Sequence, residues 1–292
     1  MSKTLNNKLI LGTVQMGLAY GINNTIGKVS MEDSHNILGY AFDNGIRILD
    51  SAEAYGNAHD VIGSFHKNNP KKSFEVITKL PHQFDLDIND KVNTYLTELQ
   101  VGQLHALLFH SFGSYEANSH NFSVLTNLKA SGKIKHIGVS VYTNDEIEEV
   151  LLNDEVDIIQ LPFNLFDNSN LRGDILEKAK AKGKIIHTRS ALLQGLFFKD
   201  VDSENNTVQS LKKELVQLST ISKSSKTSIV QLALNYCLQQ NTIDNVLIGV
   251  DSLQQLVANV EVLNHSIKDE MIQDINKIKV ADINLLNPSL WN

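Results

Sequence analysis

The sequence predicts a (β/α)8 barrel forming one domain over residues 1–292, and three observations carry that prediction. Eight short apolar runs recur along the chain, nearly continuous rather than alternating, as in parallel strands covered on both faces. Segments of helical period lie between them. No G-x-G triplet occurs anywhere, and a doubly wound dinucleotide-binding sheet, the main alternative, normally carries one after its first strand.

The strands are read, in order, at "KLILGTV" (8–14), "IRILD" (46–50), "FEVITK" (74–79), "LHALLFH" (104–110), "IKHIGVS" (134–140), "VDIIQL" (156–161), "KIIHT" (184–188) and "NVLIG" (245–249). Helix follows strand for local reasons. In "SMEDSHNILGYAFDNG", Ser30 is placed to cap the N-terminus, Asp33 to complete a capping box, and Gly45 to stop the helix. "NDKVNTYLTEL", "VLTNLKASG", "TNDEIEEVLL", "NLRGDILEKAKAKG" and "TSIVQLALNYCLQQ" repeat the pattern. The longest connection, about 190 to 210, separates the last two strands, and long loops in compact domains are often functional.

Composition narrows the function. A formal charge of −7 with scattered basic residues argues against tracking a phosphate backbone, so no nucleic-acid partner is expected. One cysteine, Cys237, permits neither an internal disulfide nor a cysteine metal cage. Ten histidines occur without H-x-H or H-E-x-x-H spacing, so no metal site is expected. The start lacks the apolar stretch of a signal peptide, and no run of eighteen apolar residues offers a membrane span. A cytoplasmic protein without membrane contact is the expectation.

Chemistry in such barrels sits at the C-terminal strand ends. Those ends carry Asp50, Lys79 and His110 on three successive strands, with Tyr55 on the loop after the first of them. Each has an ordinary reading: a turn cap, a strand exit, a core histidine, a half-buried phenol. Together they fit one task. A phenol titrates near about 10, too high for easy proton donation at neutral pH. A neighbouring ammonium stabilises the phenolate, a carboxylate holds the ammonium charged, and a histidine can orient a substrate oxygen. The set suits general acid catalysis onto a carbonyl, with the hydride donor still to be supplied.

"LDSAEAYG", "VITKLP", "LLFHSF", "IGVSVY", "IIQLPFN" and "LIGVDSLQQLVAN", in this order, resemble the aldo-keto reductase superfamily from about Leu9 to Asn264. That resemblance implies hydride transfer between NADPH or NADH and an aldehyde or ketone, with Asp50, Tyr55, Lys79 and His110 as the catalytic tetrad. It further implies cofactor contacts from Gly12, Thr13, Ser140, Gln160, Ser190, Gln194, Gly249, Ser252, Gln255 and Asn259. Three departures stand out. Val141 replaces the usual Asn after the strand-five serine. Arg189 stands where many relatives stack an aromatic ring on nicotinamide. Between Ile243 and Ile267 there is no Lys or Arg to meet a 2′-phosphate, and Asp251 stands there instead. A carboxylate suits ribose hydroxyls, so NAD(H) or dual use is favoured over NADP(H).

The resemblance places the substrate wall at Met16, Tyr20, Phe112, Phe163, Asn164 and Trp291, the last in a C-terminal tail, 281–292, that would line the pocket. "GTVQMGLAYGI" resembles a bacterial subgroup associated with polysaccharide pathways, which implies a sugar or nucleotide-sugar carbonyl as the small-molecule partner. Two rivals keep part of the pattern: a Schiff-base lyase using Lys79, and a nicotinamide-binding redox sensor with little turnover. Oligomeric state does not follow from these residues.

Overall fold

The structure is a computed structural model describing residues 7–22, 24–83 and 87–291. Eight parallel strands close into a barrel in sequence order: β1 (Leu9–Gly12), β2 (Ile48–Asp50), β3 (Glu75–Leu80), β4 (Leu104–Phe109), β5 (Ile134–Ser140), β6 (Ile158–Pro162), β7 (Ile185–Arg189) and β8 (Asn245–Ile248). Closure is set by β8 pairing with β1, with Leu9 opposite Val246 and Leu11 opposite Ile248. The eight expected strands are all present, each within a residue or two of its apolar run.

Two apolar layers explain the continuous runs. Alternate strand residues, among them Ile10, Ile77, Ala106, Leu108 and Ile158, fill the barrel interior as one small cluster. Their neighbours, such as Leu11, Val76, Leu107, Val139 and Ile159, join the larger core between barrel and helices. A strand buried on both faces has no polar face to show, so its sequence does not alternate.

Helix starts follow capping chemistry. Ser30 accepts a bond from the Asp33 amide at the head of helix Met31–Asp43, as expected. The Asp33 carboxylate, however, takes the Ser30 hydroxyl rather than the Ser30 amide. The complete reciprocal box occurs instead at Thr143 and Glu146, whose longer side chain reaches back to the backbone. Helices Ala58–Asn68 and Lys212–Ser225 lie outside the segments singled out from the sequence. The long connection after β7 is built from a turn over Leu193–Phe198 and the short helix Asn206–Ser210.

No helix among the described residues is long and apolar enough to cross a membrane. Likewise, among the described residues no group of three or more His, Cys, Asp or Glu could hold a metal ion.

Candidate active site

Parallel closure points every strand's C-terminal end at one mouth, and all eight contribute to a cavity of about 560 Å³ there. That volume lies within the range of small-molecule and cofactor sites. Its floor is the predicted tetrad. Asp50 ends β2, Lys79 lies one residue before the end of β3, and His110 follows β4 directly. Asp50 and Lys79 form an ion pair, with both side chains almost wholly out of solvent. Lys79 Nζ also donates to the Ser51 carbonyl at 2.9 Å. Burial alone would drive this lysine toward the neutral amine. The Asp50 carboxylate, followed by Tyr55, outweighs burial and holds its pKa above the ordinary value.

Tyr55 is placed by its loop. Lys79 Nζ lies 5.1 Å from the centre of its ring, and the His110 ring stands edge-on to it at 5.7 Å. Two glycines allow that placement. A Cβ on Gly17 would fall 1.7 Å from the Tyr55 carbonyl oxygen, and Gly56 has φ of +56° while its own Cβ position meets the Gly17 carbonyl. Behind the loop, the Glu53 carboxylate accepts from Lys91 Nζ at 2.9 Å and from the Tyr95 hydroxyl, tying the segment to helix Ile88–Leu99.

His110 is kept neutral. Burial, reinforced by the Lys79 charge, lowers its pKa to about 4, and its Nδ1 is buried without a partner. A neutral imidazole at this point offers a hydrogen bond to an oxygen without adding a second cation beside Lys79.

The cofactor expectations cluster around the same cavity. Gly12, Thr13, Ser140, Gln160, Arg189 and Ser190 line it, as do Gln194, Gly249, Asp251, Gln255 and Asn259. Ser252 does not; its hydroxyl caps helix Leu253–Glu261 by accepting from the Gln255 amide. Gln160 Nε2 donates to Asp50 Oδ2 at 2.8 Å, so the amide is oriented by the tetrad carboxylate. Thr13 is fully buried and donates to the Asp50 carbonyl through both its amide and its hydroxyl. Asp251 Oδ1 accepts from Asn24 at 3.1 Å, and its backbone amide is held by Gln255. Burial raises the Asp251 pKa. The loop after β7 carries left-handed backbone at Ser190, Leu193, Gln194 and Gly195, a concentration of strained positions of the kind found at ligand clamps. Gln194 Nε2 donates to the Tyr20 hydroxyl at 2.9 Å, joining the loops after β1 and β7.

Most of the expected substrate wall is elsewhere. Tyr20 alone of that group lines the cavity. Met16 is buried in the core, because the turn after β1 directs it inward. Phe163 is buried and stacks face to face on Tyr236 at 5.4 Å. Asn164 is also buried, its Oδ1 accepting from the Phe166 and Asp167 amides within the loop. Phe112 packs on Tyr115. Trp291 donates to the Leu285 carbonyl and lines a separate, smaller pocket with Asn206, Thr207 and Leu290, so the described tail does not reach the tetrad; Asn292 lies outside the described residues.

Several cavity residues were not singled out from the sequence, among them Gln15, Asn24, Tyr142 and Phe198. Gln15 lies across Gly249, where an added Cβ would come within 2.7 Å of its amide. Tyr142 and Phe198 line the rim. Tyr142 was within reach of strand logic, being two residues beyond Ser140 and therefore on the same side.

The cavity suits a dinucleotide. The Gln15 side-chain oxygen and Nδ1 of His110 belong to cavity-lining residues, are buried and have no hydrogen-bond partner among the described residues. Such orphaned groups inside a cavity call for a polar ligand.

Comparison with known proteins agrees with the geometry. The family model described as "Aldo/keto reductase family" matches residues 8–280. The NADH-specific methylglyoxal reductase of Escherichia coli (strain K12) is 23% identical over 264 residues, 77% of this chain and 81% of that protein. L-galactose dehydrogenase of Arabidopsis thaliana is 27% identical over 305 residues, covering 97% and 95% of the two chains. Among solved structures, the holo form of aldo-keto reductase AKR11C1 from Bacillus halodurans superposes with a TM-score of 0.75 at 18% identity, over 95% of each chain. The fold is shared with that structure; the family follows from the match along nearly the whole sequence. The chain belongs to the aldo/keto reductase family and is an NAD(P)-dependent oxidoreductase.

Proposed function

We propose that this protein reduces an aldehyde or ketone to the alcohol with NADH as hydride donor. The observation that carries the reading is the buried Asp50–Lys79 pair beside Tyr55 and a neutral His110 on the floor of the cavity. A dihydronicotinamide held by the cavity would supply the hydride for the carbonyl carbon. Tyr55 gives its hydroxyl proton to the carbonyl oxygen as negative charge develops there. Lys79, held charged by Asp50, stabilises the phenolate that remains. His110, uncharged, orients the carbonyl oxygen toward the phenol. Gln160, fixed by Asp50, would hold the nicotinamide carboxamide through its amide.

The lyase alternative needs an unprotonated amine as nucleophile. Lys79 is pushed the other way, toward permanent charge, which favours the reductase.

The choice of NADH rests on the far wall. Among the described residues lining the cavity, Lys79 and Arg189 are the only Lys or Arg, and both stand at the strand-tip floor and rim. The β8 side presents Gln15, Asn24, Asp251, Gln255 and Asn259, which are amides and one carboxylate. Ribose hydroxyls are met well by such groups, whereas a 2′-phosphate is repelled by Asp251. The NADH specificity named for the Escherichia coli relative is consistent with this. For the substrate, we favour a small hydroxylated carbonyl such as a sugar. Tyr20, Tyr142 and Asn24 put hydroxyl and amide groups at the mouth, and L-galactose dehydrogenase is among the relatives.

Calorimetric titration of the purified protein with NADH and, separately, NADPH is the first test, followed by carbonyl-dependent oxidation of the bound cofactor. Saturable NADH binding, tighter than NADPH, is expected. Failure of both to bind would sink the reading, and tighter NADPH binding would place 2′-phosphate recognition outside the β8 wall.

A further inference from the structure

Two buried charges, Asp167 and Arg172, have no part in the chemistry above, and following their contacts leads back to the cavity. Arg172 Nε and Nη2 donate to the two Asp167 oxygens at 2.6 and 2.9 Å, a bidentate pair. The same guanidinium donates to the Tyr142 carbonyl at 2.6 Å, while the Tyr142 amide donates to the Glu146 carboxylate at 2.5 Å. The backbone of Tyr142 is thus clamped on both sides. Its ring carries the next layer: the Arg189 guanidinium carbon sits 4.1 Å from the ring centre. Arg189 Nη2 also donates to the Val141 carbonyl at 3.2 Å. Tyr142 and Arg189 both line the cavity, beside Ser140 and Gln160.

The charge balance of this end is uneven. Lys79 is cancelled by Asp50, and Asp167 is already matched by Arg172. Arg189 forms no salt bridge among the described residues; the acid that feels its charge, Asp167, is already held bidentately by Arg172. The cavity therefore holds one guanidinium plane in excess of its paired charges, and a tyrosine fixes its orientation.

We propose that the Arg189–Tyr142 stack is a redox-state selector: it makes the protein bind the reduced, neutral nicotinamide more tightly than the oxidised, cationic ring, and so favours occupancy of the cavity by the hydride-donating form. The inference rests on the nicotinamide reading above and adds a redox-state preference to it. The physics is simple Coulomb repulsion. NADH brings an uncharged dihydropyridine next to Arg189; NAD⁺ brings a pyridinium. Two unit charges a few ångströms apart in a partly solvated cavity repel enough to change the ratio of dissociation constants by about tenfold, once screening at the half-exposed guanidinium is allowed for. The same repulsion would weaken retention of the oxidised form relative to the reduced one. Tyr142 is a positioning residue here, acting through Arg189.

The test is binding, not turnover. Dissociation constants for NADH and NAD⁺ are measured by calorimetry on the wild type, Arg189→Met, Tyr142→Leu and Tyr142→Phe. Wild type is expected to bind NADH about tenfold or more tightly than NAD⁺. Arg189→Met should bring the two constants together, chiefly by tightening NAD⁺. Tyr142→Leu should shift the ratio part of the way, and Tyr142→Phe, which keeps the ring, should retain the wild-type ratio. An unchanged ratio in Arg189→Met, or equal weakening of both ligands, overturns the proposal and reduces Arg189 to a packing contact. A wild-type ratio in Tyr142→Leu removes Tyr142 from it. Wild-type protein that binds neither ligand would overturn the nicotinamide reading itself, an outcome distinct from either of these.

Discussion

The two ends of the cavity are built from opposite materials. At the β2–β4 end, charges are paired: Asp50 with Lys79 out of solvent, the more exposed Glu53 with Lys91 behind the loop, and a histidine held neutral beside the first pair. At the β1–β8 end the wall is made of amides and one carboxylate without an ion pair among the described residues, Asp251 being held by Asn24 and Gln255. The difference follows from what each end must do. Proton transfer needs a pKa moved by fixed charges in a dry setting, whereas holding ribose and diphosphate groups needs many neutral donors and acceptors. The turn after β1 is common to both: Gln15 covers Gly249 on one side, and Gly17 accepts the close approach of Tyr55 on the other.

The comparison can be broken most directly at the charged end. Tyr55→Phe should lower kcat by about 10³-fold while leaving NADH affinity nearly unchanged, because only the proton donor is removed. Single-turnover measurements alongside calorimetry check this; retained turnover would remove Tyr55 from the acid role.

A second test uses pH. His187, on β7 opposite Gln160, is buried, and burial lowers its pKa to about 4. The unfolded chain binds a proton at this residue below about 6.5, while the folded chain resists until about 4. Stability should therefore fall as pH drops through that window, by up to about 3 kcal/mol from this residue. Thermal melts of wild type and His187→Gln between those limits would show it as a smaller acid loss in the variant. Equal losses would assign acid sensitivity to other groups.

Gly17→Ala probes the shared turn. Its methyl group must displace the Tyr55 loop, and a displacement of that order typically costs about 10²-fold in kcat. An unchanged kcat would mean the loop tolerates the shift without losing the phenol's position.

The smallest effect is expected at the neutral end. Asp251→Arg should raise NADPH affinity relative to NADH by about tenfold, the scale of one charge-assisted contact to a phosphate. The ratio of the two dissociation constants reads this directly, and no change would show that Asp251 does not face the 2′ position.

Much of this architecture was legible before any coordinates. Strand runs buried on both faces announce themselves as unbroken apolar stretches, and a residue at a parallel strand's C-terminal end must face the common mouth. That rule located Asp50, Lys79 and His110 from one dimension; the family resemblance added Gly12, Gly249, Gln255 and Asn259, while Gln15 was found only in the structure. The chemistry of the capping residues was equally local, apart from the Asp33 side chain, one methylene too short for its reciprocal bond.

What the tertiary structure alone decided lies beyond the strand ends. Phe163 and Asn164 follow β6 immediately, yet they turn into the core, while Tyr142, just past β5, turns to the cavity. Strand alternation carried past the ends fits Tyr142, two residues beyond Ser140, but fails at Asn164, four residues beyond Gln160. The direction is set by partners distant in sequence: Tyr236 stacks on Phe163, and Arg172 and Glu146 clamp Tyr142. Trp291 likewise covers a surface made by residues 206 and 207 rather than the active site. A strand's geometry carries its side-chain direction along the chain with a period of two, so sequence determines it. A loop has no such period, and only the surfaces it packs against choose which side chains the substrate will meet.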